Sequence, residues 1–349
     1  MPAGIDQVAW WRVSLEQDAS GEVSGNHVAA GLLGQRASFE RSIRRSDGYV
    51  RVWGAGSLIA VTMTRSRSTT IEFRDLAANR KLATYELETP FVEEVIVDPQ
   101  RDVAYATILR VGGGVDLRRM SVLETDAETL VGLDERFTPN GMAADRYTMT
   151  ADPDGVLLFE ACADRDGCRV WEVPPGRPAP KPTTLPKDTP KVCSAIGASR
   201  EWLVVYDLDA CFVDTGDGAM PIRAISRAEG TSHVVDGTHL LARRVVELDG
   251  ETLVVASERS PDWSTSDIVT IEVVSRARQR HARSLPNLHD GSEAWLGVSP
   301  IALPGSWVLV EPWGVEPGGT SDGIVPPARL LDLTTDELIE LLPDTFGWR

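Results

Sequence analysis

A repeated hairpin signature constrains this chain more than any other feature. Thr70-Ile71-Glu72-Phe73-Arg74-Asp75-Leu76 alternates apolar and polar residues, Ala77-Ala78-Asn79-Arg80 makes a turn, and Lys81 to Leu87 alternates again. Period-two alternation puts successive side chains on opposite faces of an extended chain, so each arm reads as a β-strand. A strand ending near Asp-Leu, a short polar turn and a second strand recur at Val115 to Leu133. They return more loosely at Cys168 to Leu185 and Ala210 to Ile225, then at Ile268 to Leu285. The last copy, Ala328 to Leu338, is among the clearest. Two further strand-like runs precede each copy, for example Glu94 to Pro99 with Val103 to Ile108, and Met142 to Met149 with Gly155 to Phe159. Long helical periodicity is scarce.

Four strands per unit, repeated every ~40–60 residues, is the pattern of β-propeller blades. The expected fold is therefore all-β: a single closed β-propeller of four-stranded antiparallel blades over residues 1–349. Units with all four strands are expected at 49–89, 91–133, 139–186, 190–226, 230–286 and 290–342. Residues 8–45 hold further strand-like runs, including Val8 to Leu15 and His27 to Leu33. They read either as an irregular seventh blade or as strands that close the ring against the last blade, and seven blades are slightly favoured over six. Closure is expected because an open ring would leave a free sheet edge. Blades buried on both faces need apolar inner strands, and Trp202-Leu203-Val204-Val205-Tyr206, Thr252 to Ala256 and Trp307 to Val310 supply them. The ten tryptophans suit the wedge-shaped spaces between blades.

Val95 to Leu133 resembles the loose repeat of bacterial propellers of the WD-repeat-like and TolB-like kinds. Asp98-Pro99-Gln100-Arg101-Asp102-Val103-Ala104-Tyr105 carries the resemblance, and Asp152-Pro153-Asp154-Gly155-Val156-Leu157-Leu158 carries it again. The likeness is to an architecture, which hosts many functions, and not to a functional family. Recurring Gly-His and Trp-Asp pairs are missing.

The charge balance narrows the partners. Lys and Arg number 35 against 52 Asp and Glu, a formal net charge of −17. Nucleic-acid backbones and anionic membranes are repelled by such a chain on average, so neither is expected as a partner. Arg41-Ser42-Ile43-Arg44-Arg45 is the nearest thing to a basic patch and reads as a solvated loop before the next strand. No apolar run reaches the ~18 residues of a membrane-spanning helix, so no membrane insertion is expected. The N-terminus has neither a basic region nor an apolar one of the secretory kind. If Met1 is the native start the expected location is the cytoplasm; a secreted domain whose signal peptide has been removed would read the same way.

The four cysteines, Cys162, Cys168, Cys193 and Cys211, could pair as two disulfides or remain reduced, and spacing does not choose among the three connectivities. A zinc site is not expected, because the short C-x2-4-C knuckles are missing. Pro174 to Pro182 is too proline-rich for strand or helix and reads as a stiff extended excursion.

No constellation of catalytic residues emerges. Gly319-Thr320-Ser321-Asp322-Gly323 matches a nucleophile elbow in letters only, since no strand leads into it and no His follows His289. Asp164 to Gly167 and Asp214 to Gly218 read as hairpin turns rather than calcium loops. Val111 to Val115 lacks the Lys-Ser/Thr of a phosphate-binding loop and reads as a turn. The five histidines, His27, His233, His239, His281 and His289, form no local pair, and any set gathered from different blades is invisible to spacing. The expected function is a non-catalytic binding scaffold, without cofactor or metal, that presents loops and the propeller mouth to a protein or peptide partner. Electrostatics favours a partner with a basic surface. Trp263, Trp313 and Tyr147 are the candidate anchors, since Trp and Tyr exposed at a mouth are the usual hot spots. The alternative is an enzyme or small-ligand or metal binder that uses the axial channel.

Overall fold

Where the sequence alternates, the chain runs as strands, and nearly every strand pairs with its neighbour in sequence. The computed structural model of the protein describes residues 7–17, 20, 23–44, 48–65, 67–88, 92–110, 114–133, 147–152, 155–160, 169–173, 181–184, 192–207, 221–236, 240–262, 264–286, 288–289, 295–296, 298–302, 305–312 and 329–341. The strands fall in two compact units, one with the strands up to Leu133 and one with those from Tyr147 onward.

In the first unit, β1 (Ala9–Gln17), β2 (Val23–Leu32) and β3 (Phe39–Arg44) form a three-stranded antiparallel sheet. Blade 1 is β4 (Tyr49–Ala55), β5 (Leu58–Thr64), β6 (Thr69–Asp75) and β7 (Arg80–Leu87). Blade 2 is β8 (Val92–Asp98), β9 (Val103–Leu109), β10 (Val115–Ser121) and β11 (Ala127–Leu133). In the second unit, blade 3 is β12 (Tyr147–Asp152), β13 (Gly155–Glu160), β14 (Arg169–Val173) and β15 (Lys181–Thr184). Blade 4 is β16 (Val192–Ala198), β17 (Trp202–Asp207), β18 (Ile222–Ser226) and β19 (Ser232–Asp236). Blade 5 is β20 (Leu240–Leu248), β21 (Glu251–Arg259), β22 (Thr265–Glu272) and β23 (Arg278–Pro286). A two-stranded hairpin, β24 (Leu288–His289) and β25 (Trp295–Leu296), precedes blade 6, which is β26 (Val298–Ala302), β27 (Trp307–Pro312), β28 (Arg329–Asp332) and β29 (Leu338–Glu340).

The architecture is all-β, with six four-stranded antiparallel blades of the propeller kind. The segment expected as an irregular seventh unit forms a sheet of its own with three strands. Blade 4 runs to Asp236 and does not stop near Ser226, because the Ser226 N–H donates to Thr231 O at 2.8 Å and folds the chain back into β19. Arg41 to Arg44 is strand and not loop: Ile43 is buried beside Val28 and Val50, Arg41 reaches Glu72 in β6 at 3.3 Å, and Arg44 is exposed. Pro182 also lies in a strand, β15, at the edge of its sheet. An edge strand tolerates a residue without an N–H.

Cores form where neighbouring sheets stack. Phe73, Tyr85, Val95, Ala106 and Met120 lie in the layer of blades 1 and 2. Val204, Ile222, Val254, Val269 and Ile271 fill that of blades 4 and 5. Val255, Ile268, Ala282, Val308 and Leu331 fill that of blades 5 and 6. Each fully buried aliphatic side chain contributes about 1.5–3 kcal/mol relative to exposure. The first strands of adjacent blades approach closely: a Cβ at Gly197 in β16 would lie 2.9 Å from Val245 Cβ in β20.

One turn recurs between the third and fourth strands of the blades. The last polar residue of the third strand caps it: Asp75 Oδ1 accepts from the N–H groups of Ala77 and Ala78 at 3.0 and 3.2 Å, and Asp332 Oδ1 accepts from that of Thr334 at 2.9 Å. Ser121 Oγ and Ser226 Oγ do the same in blades 2 and 4. The next residue then ties this turn to the turn between strands one and two or, in blade 5, to the start of strand two. Leu76 donates to Ser57 O, Val122 to Asp102 O, Arg227 to Glu201 O, Val273 to Thr252 O and Leu333 to Ser306 O, each at 2.9 Å. In four of these turns the residue four places after the cap is left-handed: Asn79 (φ 47), Gly230 (φ 67), Arg276 (φ 62) and Asp336 (φ 59).

Candidate functional site

The repeated turn serves as a socket for the blade before it. Tyr85, in the outer strand of blade 1, places its hydroxyl 2.6–2.7 Å from the carbonyl oxygens of Ser121, Glu124 and Asp126 in the blade 2 turn. The single phenolic proton serves one carbonyl at a time, and the oxygen accepts from the Asp126 N–H at 3.0 Å. Burial pushes the Tyr85 phenol up, the Asp126 charge adds to that rise, and the backbone hydrogen bonds work against it. His233, in the outer strand of blade 4, repeats the device: its Nε2 lies 2.8 Å from Val273 O in the blade 5 turn. A carbonyl only accepts, so Nε2 carries the proton. The ring packs edge-on against Trp202, 5.2 Å between centroids.

The third copy has different chemistry. His281, in the outer strand of blade 5, has a side chain only 2 % exposed. Its Nδ1 lies 2.6 Å from Asp336 Oδ1, in the blade 6 turn, and its Nε2 lies 2.8 Å from Thr270 Oγ1 in β22. The carboxylate accepts, which places a proton on Nδ1; with that tautomer Nε2 can accept from the Thr270 hydroxyl. Asp336 is held from behind by the tie between its own N–H and Asp332 O at 2.9 Å. Asp332 is nearly buried and accepts from Ser306, Thr334 and Thr335. Burial opposes its ionisation, but those hydrogen bonds outweigh burial and hold its carboxyl down to about 2.

Thr270 and His281 line a groove of about 720 Å³ on the flank of blade 5. Leu248, Leu253, Ala277 and Leu333 supply its apolar lining, and its polar lining sets Asp249, Glu251 and Glu272 beside Arg278, Gln279, Arg280 and Arg283. The size falls within the usual range for small-ligand and peptide-side-chain sites. Glu258 accepts from both Arg278 (2.5 Å) and Arg280 (3.1 Å), and Arg280 also meets Asp267 at 3.1 Å. These pairs fix the outer strand; exposed pairs of this kind contribute about 0–1 kcal/mol each.

Trp263 and Trp313 are outside the described residues; Trp263 is flanked by Asp262 and Ser264, whose turn is pinned by hydrogen bonds from Ser260 Oγ (2.6 Å) and Ser264 Oγ (2.9 Å) to Asp262 Oδ1. Those bonds hold the Asp262 carboxyl below its ordinary value. Tyr147 begins β12. Cys193 lies in β16, and Cys162, Cys168 and Cys211 are outside the described residues, as are the elbow-like Gly319 to Gly323 and both Asp-Gly loops. Among the described residues no three His, Cys, Asp or Glu side chains gather to hold a metal, and no helix is long and apolar enough to cross a membrane. Sequence reasoning missed Thr270, His281 and Asp336 as a set. The only signal available was the repeat, which puts His281 in the outer strand facing a turn of known form.

No family model matches the chain, and no curated protein matches it. Solved structures do. A prolyl endopeptidase structure is 13% identical, with 97% of this chain and 49% of that chain covered, at a TM-score of 0.56. Prolyl oligopeptidase B from Galerina marginata is 10% identical, with 97% and 51% covered, at 0.57. TolB from Acinetobacter baumannii is 12% identical, with 95% and 79% covered, at 0.47. The chain spans about half the length of the two prolyl peptidase chains. At this identity the two prolyl peptidase likenesses show the fold alone: by fold, this chain is a β-propeller.

Proposed function

We propose that the chain is a binding scaffold for a protein or peptide partner, and that the groove on the flank of blade 5 is its recognition surface. The groove carries this reading: a recess of mixed apolar and charged lining sits on strands tied by ion pairs, which spares the ordering cost that weakens binding by mobile surfaces. The net charge of −17 favours a partner with a basic surface and makes the encounter salt-sensitive. Trp263, Trp313 and Tyr147 are proposed as additional anchors, to be tested after the groove.

Gln279 is exposed at the groove and is the place for a photo-crosslinking residue. Irradiated in lysate of the source organism, the folded protein should form one dominant adduct, which weakens as salt is raised. No adduct above that of a crosslinker at a position far from the groove would overturn the reading.

A further inference from the structure

The equivalent positions in the repeat isolate what is unusual here. Tyr85 and His233 end on main-chain groups, which suits a staple between blades and nothing more. His281 sits in the same outer-strand place, yet both its ring nitrogens meet side chains, a hydroxyl on one and a carboxylate on the other, and it lines a groove. Local departures from a repeated structural rule mark functional positions. A hydroxyl on one imidazole nitrogen and a carboxylate on the other is the arrangement that activates a nucleophile and orients its base.

We propose that Thr270, His281 and Asp336 form an acyl-transfer centre that hydrolyses small carboxylic esters bound in the groove. Thr270 Oγ is the nucleophile, His281 Nε2 the base, and Asp336 holds the ring in the tautomer that leaves Nε2 free to accept. The acyl chain lies against Leu248, Leu253 and Leu333, and Arg283 lines the same groove. Thr270 Oγ attacks the acyl carbon; the new C–Oγ bond forms as the hydroxyl proton passes to Nε2. The ester C–O bond breaks, and the leaving alkoxide takes that proton. Water then attacks the acyl-threonine and gives a proton to Nε2; the C–Oγ bond breaks and Oγ takes the proton back. One ester and one water become one acid and one alcohol. Thr270 is 3% exposed, so it stands at the inner end of the groove and not on its rim, which restricts the centre to small acyl groups.

The proposal uses the same groove as the binding reading without resting on it, and is tested on the full chain with p-nitrophenyl acetate. Wild type should release p-nitrophenolate at least about tenfold faster than Thr270→Val or His281→Gln, since a positioned base contributes more than that. Thr270→Ser should restore turnover, and mass spectrometry of trapped protein should place the acetyl group on residue 270. Thr270→Val preserves side-chain shape and strand preference, so its thermal midpoint separates lost chemistry from lost folding. Equal rates for wild type and a folded Thr270→Val, or an acetyl group found only on other residues, would overturn it and leave His281 as a third staple.

Discussion

Asp332 illustrates how one side chain can lock a blade edge. It is 9% exposed and its carboxylate accepts from the Ser306, Thr334 and Thr335 side chains and from one N–H, which also fixes the turn bearing Asp336. Its folded value, about 2, lies below the ordinary 3.8, so ionisation stabilises the fold. That contribution is complete above about 3.8 and is lost as pH falls towards about 2. Asp332→Asn should therefore cost about 2 kcal/mol at neutral pH and nearly nothing near the folded value. Denaturant unfolding of both proteins at the two pH values checks this; a difference that does not shrink with acid would contradict it. The Asp-Leu signature made this residue legible, because capping and hairpin chemistry are local. Thr270, His281 and Asp336 were not legible: they lie 11 and 55 residues apart in sequence and are joined only by strand pairing and the stacking of two blades.

At the scale of the element, the left-handed slot of the repeated turn sets opposite signs for two substitutions. Gly230 and Arg276 occupy it in blades 4 and 5, at φ 67 and 62. A side chain with a Cβ costs roughly 1 kcal/mol in this conformation. Gly230→Ala should destabilise by about 1 kcal/mol, whereas Arg276→Gly should be neutral or stabilise by up to that amount. Thermal melts of the two variants give the comparison, and equal losses in both would show that the slot does not govern the turn. Element boundaries in the sequence failed where polar residues hid the alternation. Phe39-Glu40-Arg41-Ser42-Ile43-Arg44 has two apolar positions in six, yet both are buried as a strand requires. Ser232–Asp236 is short and half-exposed, so nothing in it announced that β19 closes blade 4 and does not open the next.

For the whole molecule, stability and recognition both answer to charge. A net charge of −17 repels itself within the folded chain, and salt screens that repulsion. The thermal midpoint should rise by about 2–5 °C between ~0.02 M and ~0.2 M sodium chloride; a midpoint that falls would mean that attractive ion pairs, such as those around Glu258, dominate instead. Propeller architecture was readable because each blade repeats one local plan, whereas a binding groove depends on which side chains two blades leave uncovered.

Affinity capture of the tagged chain from lysate of its source organism, run beside Ala277→Trp, tests the central claim of a groove-based scaffold most directly. Ala277 is exposed at the groove, so an indole there fills the recess without entering the core. The account predicts one stoichiometric partner with wild type, released by salt and lost with Ala277→Trp. The same proteins captured by both chains, or none by either while both are folded, would contradict it.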